Sequence, residues 1–130
     1  MGKHASLRGL AVGATALLMT VTGAATSASA NPRVGNISYG MSGPGVKCVQ
    51  IAVNNYYGKK MQGAFAIDMD GVFGPATLRG VKDFQGGNAN LDVDGIVGPQ
   101  TGNRMVDWWL GGEVEGSDKD FCSSVLPTTR

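Results

Sequence analysis

One eight-residue pattern occurs twice in this chain. Asp70-Gly71-Val72-Phe73-Gly74-Pro75-Ala76-Thr77 returns 24 positions later as Asp94-Gly95-Ile96-Val97-Gly98-Pro99-Gln100-Thr101. Asp, both glycines, Pro and Thr recur in place, and the third position is Val or Ile. A unit this short cannot bury its own apolar face, so its copies must pack on one another. Asp-Gly is a strong turn pair, because Gly accepts positive φ and Asp hydrogen-bonds its own turn. Phe73 and Val97 are expected to plug the core from the loop. Gly74 and Gly98 are expected to let the chain turn into a helix. Pro75 and Pro99 then stand where a helix begins, at the one position where a missing N–H costs nothing. Thr77 and Thr101 fall in the first turn, within reach of a free backbone N–H.

Helical spacing continues beyond each loop. Leu78, Val81 and Phe84 form one stripe, ended by Gly86-Gly87-Asn88. Met105, Trp108 and Trp109 lie on or near another, ended by Gly111-Gly112. An earlier helix is expected after Ser42-Gly43-Pro44-Gly45, with Ser42 as its cap, Val46, Val49, Val53 and Tyr56 or Tyr57 inward, and Gly58 at its end. The fold class is therefore all-α: a small three-helix bundle with two matched loops.

The first thirty residues read differently. Lys3 and Arg8 precede a short apolar run, Leu10 to Val21, and Ala28-Ser29-Ala30 offers a cleavage site. That is the pattern of a secretory signal peptide over 1–30, too short and too rich in small residues for a stable membrane span. The expected organisation is an irregular arm over 31–38, the domain over 39–110 and a tail over 111–130. Of the eleven Lys and Arg, the leader takes Lys3 and Arg8, leaving nine against ten acidic residues, and it also takes the lone His4. The remaining chain is near neutral with no basic stripe, so nucleic acid is not an expected partner. Two cysteines remain, Cys48 and Cys122. In an exported chain an even number pairs, so one disulfide is expected to tie the tail to the first helix.

A chain without histidine beyond its leader has no Ser-His or Cys-His dyad and a poor zinc site. Asp68-x-Asp70-Gly71 and Asp92-x-Asp94-Gly95 resemble part of a calcium loop, but both lack the carboxylate at the twelfth position. The acidic residues sit in turns, not in an apolar run that would tune a catalytic acid. No enzyme activity, metal or cofactor is expected.

Gly45-Val46, Val49-Gln50, the first repeat, Val81-Lys82-Asp83-Phe84-Gln85, and Leu91 through Thr101 together resemble the peptidoglycan-binding domain of bacterial cell-wall hydrolases. The resemblance covers roughly Tyr39 to Leu110. It implies a three-helix module that holds a protein on the murein wall, here with no catalytic domain attached. It implies peptidoglycan as the partner; with the leader pattern and no other long apolar run, the expected protein is secreted or wall-associated, with no membrane contact after leader cleavage. The other reading is a secreted module that binds or modulates a separate extracellular hydrolase. Candidate ligand contacts are Asp70, Arg79, Gln85, Asp94, Arg104, Trp108 and Trp109. Arg79 and Arg104, in matching parts of the two repeat-led helices, are expected to line one groove and pair with stem-peptide carboxylates. Adjacent Trp108 and Trp109 cannot both face the core, so one is expected either on the surface or under the tail.

Overall fold

Gly-Pro pairs open three helices of the computed structural model, which describes residues 34–110 and 116–129. Helix α1 spans Pro44–Met61, α2 spans Pro75–Gly86, and α3 spans Pro99–Arg104 and continues into a π turn, Met105–Trp109. A further helix, α4, spans Gly116–Val125. No strand forms among the described residues; two isolated bridges do, Ile37 with Val97 and Ser42 with Val72. The leader and the Gly111-Gly112 terminator lie outside the described residues. Among those residues no helix is long and apolar enough to cross a membrane.

Each of the first three helices carries proline at its start behind a glycine N-cap. Ser42 does not cap α1: Gly43 does, with no side-chain hydrogen bond. Nor does α1 stop at Gly58. It runs one turn further, where Lys59 and Lys60 face the negative end of the helix dipole, and closes on left-handed Gln62.

Helix α1 is the centre of the molecule. It packs against α2, the π turn and α4, which is why it buries Val46, Cys48, Val49, Ala52, Val53, Tyr56 and Tyr57 around a broad arc. Phe73 and Val97 enter the core from the two loops as expected. Tyr56, Phe84 and Trp109 meet edge to face, with ring centroids 5.1 to 5.9 Å apart. Helix α2 passes so close to α1 that a Cβ on Gly80 would stand 2.5 Å from Val53 Cγ1.

The polar tail is helical, which its sequence pattern did not suggest. Its hold on the bundle is covalent and local: Cys122 bonds to Cys48, with Cα atoms 5.6 Å apart, and Leu126 is fully buried. Beyond α4 the chain lies across α3. Thr129 N–H donates to Asn103 Oδ1 at 3.0 Å, and Asn103 Nδ2 donates to Thr129 Oγ1 at 2.6 Å. Gly102 admits this crossing, since a Cβ there would collide with the Pro127 carbonyl. At the other end, residues 37–43 cross both loops: Ile37 exchanges backbone hydrogen bonds with Val97, while Gly40 N–H and Met41 C=O pair with Phe73.

Candidate functional site

Two buried glutamines organise the two loops in the same way. Gln50 Nε2 lies 2.9 Å from Asp70 Oδ1, 3.0 Å from the Val72 carbonyl and 3.0 Å from Thr77 Oγ1, and its Oε1 accepts the Gly71 N–H at 2.8 Å. Gln85 repeats the set with Asp94 Oδ1 at 2.9 Å, the Ile96 carbonyl at 2.9 Å, Thr101 Oγ1 at 3.3 Å and the Gly95 N–H at 2.9 Å. Asp70 and Asp94 each also accept the N–H two residues on, closing the turn. Gly71 and Gly95 share a left-handed backbone, φ 74° and 75°. A side chain on Gly95 would also meet Leu78.

These contacts revise several expectations. Gln85 is 1% exposed and gives no face to a ligand. It is a loop anchor, and Gln50, absent from the expected contacts, is its twin. The signal was available: an apolar-Gln pair, Val49-Gln50 and Phe84-Gln85, precedes each loop. Asp70 and Asp94 remain on the surface, but one oxygen of each holds its turn. Those bonds, from the Val72 N–H first and then the Gln50 amide, hold the Asp70 carboxyl below its usual value. Thr77 and Thr101 turn to the glutamines, not to a helix N–H. Gly74 and Gly98 have negative φ, with extended backbone, so left-handed freedom is not what they supply.

Each repeat forms a depression between the segment leading to its loop and the helix after it. The first, about 450 Å³, is walled by Ala66, Ile67, Ala76, Arg79 and Asp83, with Tyr57, Met61 and Phe65. Burial, and then the bond its hydroxyl donates to Asp83 Oδ2 at 2.7 Å, push the Tyr57 phenol upward in pKa. The second, about 420 Å³, is walled by the counterparts Asn90, Leu91, Gln100, Asn103 and Asp107, with Arg104 and Trp108. Arg79 and Arg104 therefore do not share a groove. Asn103, not Arg104, occupies the place of Arg79, because the two arginines stand one residue out of register with the repeat.

The tryptophans divide cleanly. Trp109 is 5% exposed, packed on Tyr56 and Phe84, and its carbonyl accepts from Asn55 Nδ2 at 2.7 Å. It offers nothing to a ligand. Trp108 is 62% exposed, with the Arg104 guanidinium 5.7 Å from its ring centre. A third and larger depression, about 720 Å³, lies between the start of α1, the first loop and α4, with Ile51, Val72 and Phe121 as apolar walls and Lys47 and Asp118 beside them. Among the described residues no group of three or more His, Cys, Asp or Glu is placed to hold a metal ion.

Residues 42–105 match the family model of the peptidoglycan binding domain. The matched span takes in both loops, both anchoring glutamines and the three Gly-Pro helix starts. No curated protein and no solved structure matches the chain.

Proposed function

We propose that this chain, whose residues 42–105 belong to the peptidoglycan-binding domain family, is exported and acts by adhering to the bacterial cell wall without a catalytic step of its own. The observation that carries the reading is the family match over both loops of the duplicated unit. The leader pattern over 1–30 and a Cys48–Cys122 disulfide agree with export. The candidate contacts that reach the surface are Arg79, Trp108 and half-buried Arg104, with Asp70 and Asp94 at the loops; Gln85 and Trp109 support them from inside.

The test is co-sedimentation of the purified chain with insoluble peptidoglycan, against chitin and cellulose. Selective retention on peptidoglycan supports the reading. Passage through all three sinks it.

A second reading is favoured by the 720 Å³ depression beside α4, whose exposed Val72 and Phe121 suit an apolar partner. Here the module docks a separate extracellular hydrolase. It predicts a stoichiometric complex with such an enzyme in solution, with no retention on wall alone.

A further inference from the structure

The two repeat-related depressions do the same structural job with different chemistry. Where the first has Ala66 and Ala76, the second has Asn90 and Gln100. Ala76 shows that the fold accepts alanine at the place of Gln100, so that amide is not there to hold the bundle; Asn90, unlike Ala66, holds a left-handed backbone, φ 68°, which itself suits asparagine. Neither amide side chain has a hydrogen-bonding partner among the described residues, whereas Asn103 is committed to Thr129. Arg104 Nη2 donates to the Ala89 carbonyl at 3.4 Å, and its guanidinium lies over the Trp108 ring.

The aromatic beside them is displayed by a local change of helix geometry. By the 24-residue repeat, Met105 answers to Val81 and Trp108 to fully buried Phe84. The chain departs from α-helical winding here: the Leu110 N–H reaches back five residues to the Met105 carbonyl at 2.9 Å. Through that π turn Trp109, one residue later, is the buried ring, packed on Tyr56 and Phe84. Trp108 is left outside, 62% exposed beside the amide-lined depression. Single π turns are rare and concentrate at functional sites.

We infer that this depression is a saccharide subsite. A sugar ring of the glycan strand stacks on Trp108, and its hydroxyl or acetamido groups are read by Asn90, Gln100 and Arg104. The chemistry fits that ligand: a sugar ring has an apolar C–H face and an equatorial rim of donors and acceptors. A flat aromatic and planar amide or guanidinium groups match the two respectively. The inference rests on the wall-binding reading and narrows it to the glycan over the stem peptide.

The experiment compares intact peptidoglycan with glycan strands freed of stem peptides, using the wild-type chain, Trp108→Ala, Trp108→Phe and Phe65→Ala. Phe65 is the exposed aromatic of the first depression. The expected result is wild-type binding to both materials and about tenfold weaker binding by Trp108→Ala, the scale of removing one aromatic anchor. Trp108→Phe recovers part of the loss, and Phe65→Ala binds as wild type. Trp109 is the one tryptophan left in Trp108→Ala, and a blue-shifted emission that reddens only on unfolding verifies the core. Wild-type retention on intact wall but not on stripped glycan, or undiminished binding by Trp108→Ala, overturns the subsite and leaves wall binding standing. No wild-type binding to either material overturns both.

Discussion

Replacing Gln50 by leucine keeps the helix and nearly the volume but removes the hub of the first loop. Four partners lose it: Asp70 Oδ1, the Val72 carbonyl, Thr77 Oγ1 and the Gly71 N–H. Asp70 and Val72 lie at the surface and can turn to water. Thr77 is buried and keeps only the long 3.5 Å bond its hydroxyl donates to the Val72 carbonyl, and Gly71 is half-buried, so both groups are left short of a partner. Each stranded group costs roughly 1–3 kcal/mol, and leucine regains part by apolar burial, so the net loss is about 3 kcal/mol. At roughly 4–8 °C per kcal/mol for a domain of this size, Tm falls by about 15 °C. The assay is thermal unfolding followed by circular dichroism with the disulfide intact. Gln100→Leu, on exposed surface, is the control and stays within about 0.5 kcal/mol of wild type. Gln85→Leu should match Gln50→Leu, because its contacts are the same set. A drop for Gln50→Leu no larger than the control's would refute the claim that a buried amide holds the loop.

Three further outcomes follow from the same structure. Replacing Cys48 and Cys122 together by alanine opens a loop closed across 74 residues, and urea unfolding should show a loss of about 4 kcal/mol on the chain-entropy account. Gly102→Ala drives a methyl into the Pro127 carbonyl and should cost about 2 kcal/mol, with faster amide exchange over 126–129, while Gly74→Ala, where a Cβ meets nothing, leaves that segment protected. Asp70 has a depressed folded pKa, so its contribution is complete above its ordinary value of 3.8 and is lost as pH falls through the lower folded value; Asp70→Asn should lose stability at neutral pH and show a shallower acid limb in Tm against pH.

Gly-Pro at three helix starts and Asp-Gly in two loops were readable because backbone chemistry fixes them locally. Phe73 and Val97 in the core followed from the repeat, and the Cys48–Cys122 bond from an even cysteine count behind a leader-like pattern. What stayed hidden depends on tertiary context. A helical glutamine ordinarily faces water, and nothing local distinguishes Gln50 and Gln85 until the loops fold over them. Helix α4 has no broad apolar stripe; one disulfide and Leu126 dock it. The π turn is invisible in Trp108-Trp109, since either ring can face inward until the winding is known. Of the expected contacts, Trp108 is exposed and Arg104 half-buried while Gln85 and Trp109 are buried, because burial of a planar polar or aromatic side chain is a property of its neighbours.

Adhesion of this domain to the wall, as proposed, is that of a folded, saturable binder. A binding isotherm on purified peptidoglycan, read as protein remaining in solution after sedimentation and repeated after thermal unfolding of the disulfide-reduced chain, tests it most directly. Saturable binding that chitin and cellulose do not share, and that unfolding abolishes, is the expected result. Equal uptake by all three polymers, or uptake undiminished by unfolding, would contradict it.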